Sequence, residues 1–175
     1  DTESSARQTE ISGVLMLDYS VFDGIYRNDS QQDTESNSEI RRVRINLKHS
    51  LNKDWQAKLQ LSFDEEDNSV EIGDAYVRYK GLKGVDLALG QMKEPFGLDN
   101  LTSSKSITFL ERSMATNAFA PDRNKGLKFS GSGHAFSWSL GAYDIDANVA
   151  TSDPYAFTGR LTWAPLRTKT QTIHL

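Results

Sequence analysis

Across residues 40–51 the apolar side chains Val43, Ile45, Leu47 and Leu51 fall on odd positions, while Arg42, Arg44, Asn46, Lys48 and Ser50 fall on even ones. No other feature constrains the fold as tightly. A helix, at about 3.6 residues per turn, would scatter those cations around its circumference, whereas a strand sends successive side chains to opposite faces. The segment therefore reads as a strand with one apolar and one polar face. The pattern recurs. Trp55, Ala57, Leu59, Leu61 and Phe63 alternate with Gln56, Lys58, Gln60 and Ser62, and Ala75, Val77 and Tyr79 with Asp74, Tyr76, Arg78 and Lys80. Val85, Leu87 and Leu89 follow, then Leu127 and Phe129, then Phe136, Trp138, Leu140 and Ala142, then Tyr155, Phe157, Leu161 and Trp163. An earlier strand covers roughly residues 11–20, and a last one starts near Thr170.

About eight strands and the start of a ninth are expected, joined by links that alternate between short and long. Tight turns on one rim and longer loops on the other, with strands of about nine to eleven residues, describe a transmembrane antiparallel β-barrel. Tyr19, Trp55, Phe63, Tyr79, Tyr155 and Trp163 lie near strand ends, where interfacial aromatics belong. A soluble sheet packed on one face also alternates. Against that reading, Arg42, Arg44, Lys48, Lys58, Arg78 and Arg160 sit deep in strands, as a water-filled lumen allows.

Composition sets the remaining bounds. The 175 residues suit one domain, taken here as a partial barrel over 1–175. The net charge of −4 gives no reason to expect a nucleic-acid partner. Zero cysteines exclude disulfides and thiolate metal sites. No apolar run approaches the roughly 20 residues of a membrane helix. The closing residues QTIHL begin a new alternation, which suggests the front part of something longer.

One stretch breaks the rhythm. GQMKEPFGLDNLTSSKSITFLERS, residues 90–113, is too polar and too interrupted by Pro95 and Gly97 to be a strand. The interval 91–123 leaves the long-loop rim and is far longer than a usual hairpin connection of about two to five residues. It is expected to fold inward and constrict the pore. A short helix is expected over residues 103–112, with Ser103 or Ser104 as N-cap and Ile107, Phe109 and Leu110 against the inner wall.

These residues carry a resemblance. Phe96-Gly97-Leu98, Thr102-Ser103-Ser104-Lys105 and Leu110-Glu111-Arg112 resemble the phosphate-selective porin O and P family of Gram-negative outer membranes. So do Asp18-Tyr19, Phe22-Asp23-Gly24, Arg41-Arg42, Asp54-Trp55 and Ala164-Pro165-Leu166. The resemblance implies a homotrimer of sixteen-stranded barrels in outer-membrane lipid, of which this chain is about the amino-terminal half. It also implies passage of phosphate or other small anions along basic residues. Three positions that the resemblance makes basic are here Val14, Gln56 and Asn100, so the basic eyelet is thinned.

The candidate pore-lining, anion-binding residues are Arg41, Arg42, Arg44, Lys58, Arg78, Lys93, Lys105 and Arg112. Parity with Arg44 turns Arg42 inward, and Arg41, at the strand's start, joins it only through a bulge or a rim position. Asp18, Asp74, Asp86, Asp99 and Glu111 oppose these cations. Wall-organising salt bridges such as Arg42–Asp18, or Arg78 with the neighbourhood of Asp74, are the plainer alternative for any one arginine.

No catalytic constellation is present. His49, His134 and His174 have no ligand-like spacing, and Asp64-Glu65-Glu66-Asp67 lacks a calcium-loop pattern. The sequence points to a bacterial outer-membrane channel for passive diffusion of small hydrophilic solutes, possessing no cofactor because a concentration gradient drives the flow. The competing classes are a soluble carbohydrate-type β-sandwich module and a barrel enzyme whose catalytic pair lies elsewhere.

Overall fold

A strand with one apolar and one polar face must find neighbours of the same kind, and eight do so in this chain. A computed structural model describes residues 7–26, 32–63, 69–145, 154–168 and 171–173. The strands are β1 (Gln8–Tyr26), β2 (Gln32–Ser50), β3 (Trp55–Phe63), β4 (Val70–Leu82) and β5 (Val85–Lys93). After two short helices, α1 (Leu98–Leu101) and α2 (Met114–Phe119), come β6 (Arg123–Ser132), β7 (Phe136–Asp144) and β8 (Tyr155–Trp163). All eight form one antiparallel meander in sequence order, with β1 and β8 at its two open ends. It is a barrel-type wall, unclosed at this length.

Burial is inverted relative to a soluble sheet. Ile11, Leu15, Leu17 and Tyr19 on β1 are exposed, and so are Leu89, Leu140, Phe157 and Leu161 farther along the wall. Phe157 is 85% exposed, more than a single-sided soluble core would leave uncovered. The buried side chains among the described residues include Gln60, Asp74, Glu94, Asn100 and Thr162, all polar or charged. The small apolar cluster of Ala88, Met92 and Tyr143 sits with them. Apolar side chains thus face outward and polar ones inward, as in a wall between lipid and water. This burial is the reverse of what a soluble sandwich requires.

Two bulges adjust the inner face. Met16 pairs with Arg42 and Asp18 with Glu39, so Ile40 and Arg41 together oppose Leu17. Leu59 pairs with Ala75 and Leu61 with Ile72, so Gly73 and Asp74 oppose Gln60. An extra residue of this kind bends the strand and re-aims a side chain.

Gly90 shows how close the wall packs. Its φ is 129°, and a Cβ there would lie 2.3 Å from the Ala75 carbonyl oxygen. Gly90→Ala is expected to destabilise the full-length protein by about 1–3 kcal/mol. The urea midpoint of the detergent-refolded barrel checks this, and an unchanged midpoint would show that the ladder relaxes around the methyl group.

Three expectations need correction. β1 and β2 are 19 residues each, well beyond the 11–20 and 40–51 segments, because residues 21–26 still pair with the polar 32–39 run. The acidic segment 64–67, most of the polar link 144–153, the start of the last strand at Thr170, and His174 lie outside the described residues. At the carboxyl end, β9 (Leu166–Arg167) pairs only with β10 (Thr172–Ile173), so no ninth strand joins the sheet among the described residues. Finally, no helix forms over residues 103–112. The helical turns lie on either side, at α1 and α2, and Phe109 and Leu110 are exposed rather than packed on the wall.

Candidate functional site

The long interval does fold over the inner face, and its root shows how it is held. Lys93 ends β5 and donates to the Asn100 carbonyl oxygen at 2.8 Å and to its side-chain oxygen at 3.1 Å. The Asn100 amide donates in turn to the Pro121 carbonyl at 3.0 Å, joining the two legs of the loop. Glu94, only 2% exposed, accepts from Asn124 at 2.8 Å and from the Thr158 hydroxyl, tying the root to β6 and β8. Gly97, at φ 62°, supplies the left-handed turn into α1.

The loop also stitches to itself. Arg112 donates to the Asp99 carbonyl at 3.0 Å and to the Thr102 carbonyl at 2.6 Å. Ser113 caps α2, its hydroxyl accepting from the Thr116 amide at 3.2 Å. This is the N-cap that the sequence reading placed ten residues earlier. Hydrogen bonds from the Thr116 side chain first, then from Ser113, with Arg112 nearby, hold the Asp99 carboxyl below the usual carboxylate range.

Three arginines of β2 meet the loop tip. Arg41 donates to the Leu110 carbonyl at 2.8 Å and pairs with Asp18. Arg42 lies 3.1 Å from Glu111, and Arg44 reaches the Ser104 hydroxyl at 3.5 Å and the Ser62 hydroxyl at 3.2 Å. Arg41 and Arg42 both face inward, side by side, because the bulge at Ile40 and Arg41 breaks strict alternation. The salt bridge expected between Arg42 and Asp18 is formed by Arg41 instead, for the same reason.

Deeper on the wall, Asp74 is shared by two cations, with Lys58 at 2.5 Å and Arg123 at 2.8 Å. Arg123 also donates to the Gln60 side chain at 2.8 Å, and Gln60 to Asn46 at 2.6 Å. Arg78 does not join this knot. It stacks 5.5 Å from the Tyr76 ring centroid and donates to the Tyr76 hydroxyl at 3.2 Å. Lys105 is exposed beside a cavity of about 360 Å³ between the loop and the inner wall. A larger cavity, about 520 Å³, is bounded by Arg42, Arg44, Lys93 and Arg123 on the wall side and by Arg112 and Asn117 on the loop side.

The eight candidates therefore divide by partner. Arg41, Arg42 and Lys58 are matched by carboxylates and hold structure together. Arg44, Lys93 and Arg112 have hydrogen bonds only to hydroxyls and carbonyl or amide oxygens, with no ion pair among the described residues. Their charge remains available to a solute. Arg123 and Glu94 were missed. Arg123 lies at the end of the 91–123 interval, and alternation counted from Lys128 places it outward. Its position at the first residue of β6, where the chain arrives from the inner loop, overrides that count. Glu94 follows the last strand residue and carried no pattern. Among the described residues no group of three His, Asp or Glu side chains is placed to hold a metal ion.

Comparison with known proteins agrees with this geometry. The sequence model of a family described as phosphate-selective porin O and P matches residues 10–175. Porin O of Pseudomonas aeruginosa is 36% identical over 111 residues, which is 61% of this chain and 24% of that protein. An uncharacterized protein of Caulobacter vibrioides is 31% identical over 150 residues, 79% of this chain and 29% of that protein. The chain therefore spans about a quarter of the length of the curated relatives it matches.

Proposed function

This chain belongs to the phosphate-selective porin O and P family, and from that premise we propose that it builds part of a water-filled outer-membrane channel with a preference for anions. The family is one of channels rather than enzymes. An infolded loop narrows the passage, and small hydrophilic solutes cross by diffusion. We extend the proposal to a homotrimer embedded in outer-membrane lipid, as the family resemblance implies.

The observation that carries the anion preference is the set of three cations, Arg44, Lys93 and Arg112, that border one cavity without carboxylate partners. In a narrow lumen with low-dielectric walls, a few uncompensated charges set the sign of the permeant ion. Asp74, Glu111 and Asp18 are each paired with a cation, and Asp122, on the same cavity, lies 3.5 Å from Arg123. Phosphate preference over chloride has less support. Val14, Gln56 and Asn100 stand where the resemblance implies basic groups, and Asn100 here is used to close the loop root.

The test is the reversal potential of the full-length protein in a planar bilayer under a potassium chloride gradient. A value displaced toward the chloride equilibrium potential is expected. A value at zero or toward potassium would overturn the anion reading, and a folded protein without conductance would overturn the channel.

A further inference from the structure

We infer that the root of the infolded loop holds a monovalent metal cation, sodium or one of similar size, between the Glu94 carboxylate and the Tyr143 hydroxyl. The inference concerns how the loop is fastened to the wall, and it stands apart from the ion preference of the channel.

Two observations meet at this place. The first is an uncompensated charge. Glu94 is 2% exposed and accepts from the Asn124 amide and the Thr158 hydroxyl, both neutral donors, with no ion pair among the described residues. An ion taken out of water is strongly disfavoured unless an opposite charge accompanies it, and neutral donors repay only part of that cost. The second is an orphaned oxygen. Tyr143 is 1% exposed, and its buried hydroxyl has no hydrogen-bond partner among the described residues. Nearly all buried polar atoms are partnered, so such an oxygen marks a ligand or a bound water. The charge acting on that phenol is the one on Glu94. Neither group depends on the open ends of the wall. Further strands can cover this place more deeply, but it has no open surface through which they could bring a counter-charge.

The donors decide the kind of ion. Glu94, Tyr143, Thr158 and the Asn124 side-chain oxygen offer oxygen alone, the ligand type of hard cations. One carboxylate brings one negative charge, which a monovalent ion cancels and a divalent ion exceeds. No group of three His, Asp or Glu side chains is placed here to hold a divalent metal. Met92 and Ala88, buried with Tyr143, make the surroundings apolar, so water does little to weaken the attraction. A water molecule would satisfy the Tyr143 hydroxyl and leave the charge uncancelled. A cation answers both, and it ties the end of β5 to β6, β7 and β8 where the loop leaves the wall.

The experiment follows urea unfolding of the full-length protein in detergent micelles, in sodium chloride and in choline chloride of equal ionic strength. A cation bound only by the folded state lowers the unfolding constant about tenfold for each tenfold rise in its concentration above the dissociation constant. That dependence is expected for sodium and not for choline, which is too large for a buried site. Tyr143→Phe gives the sharper test. In choline it removes only an unpaired hydroxyl and is expected to leave stability unchanged or raised. In sodium it removes a ligand and is expected to lower stability and flatten the concentration dependence. Glu94→Gln is expected to abolish the dependence, and Tyr143→Phe reads the site even where Glu94→Gln fails to fold. Equal unfolding constants in the two salts would overturn the cation and leave a bound water. Stability that rises on acidification identically in both salts would also overturn it, because a proton would then neutralise Glu94. A response to calcium chloride with none to sodium would overturn the monovalent assignment. No current is measured, so these outcomes are independent of the channel reading.

Discussion

Asp74→Ala is expected to lower the stability of the full-length barrel by about 3 kcal/mol, the largest effect of any single inner-wall substitution. Asp74 is 8% exposed and accepts from both Lys58 and Arg123. Removing it leaves two partly buried cations facing each other without a counter-charge. Loss of one partner from a buried pair costs about 3–5 kcal/mol, and access of lumenal water places this case at the lower end. Arg123 would also pull on Gln60, which it shares with Asn46, so the disturbance reaches from β6 to β2. Asp74→Asn keeps the shape and one acceptor and should cost less. The measurement is the urea midpoint in detergent micelles, with the gel mobility of unheated samples as a check on folding. A midpoint within about 0.5 kcal/mol of the parent, the usual scatter for surface changes, would mean that the knot adds nothing net.

The largest functional effect is expected from replacing Arg44, Lys93 and Arg112 together with glutamine. A unit charge about 6 Å from a permeant ion in water contributes about 0.7 kcal/mol, roughly halved by salt screening. Acting with opposite sign on chloride and potassium, that is about threefold in permeability ratio for each cation, so the triple variant should lose about thirtyfold in chloride-over-potassium preference. The same number of charges removed from the paired set should do less to selectivity. Neutralising Lys58 leaves Asp74 on Arg123 at 2.8 Å, and neutralising Arg42 leaves Glu111 3.6 Å from Arg41, so each carboxylate keeps a counter-ion. Reversal potentials of the two variant sets separate these outcomes. Equal shifts would show that a solute responds to total charge and not to pairing.

Period-two patterning carried most of the wall into view, because alternation is a local property and each strand repeats it. The lipid-facing residues from Leu15 to Phe157 were legible for that reason. The infolding of residues 91–123 was also legible, from its length and its place in the short–long rhythm. The loop's interior was not. Ser103 and Ser104 look like helix starters, yet the side chains that cap or staple the loop are Ser113 and Arg112, chosen by contacts with Thr116, Asp99 and Thr102. Partner choice was hidden as well. Sequence parity showed that Arg42, Arg44 and Lys58 share a face, but Lys58 is neutralised and Arg44 is not, because Asp74 sits across β3–β4 while Arg44 bonds only to hydroxyls and has Asp122 across the cavity without an ion pair.

The bulge that turns Arg41 and Arg42 to the same side has an evolutionary consequence. Strand register makes this wall tolerant of exchanges and intolerant of deletions. Only at the bulge can a residue be lost with simple pairing to β1 restored; a loss between Arg44 and Ser50 would slip the register and carry arginines through to the acyl chains, at a depth-dependent cost of about 2–4 kcal/mol near the midplane. Lineages descending from such a barrel can repaint the lumen one side chain at a time. Away from the bulge, they cannot shorten this strand without rebuilding its inside and outside at once.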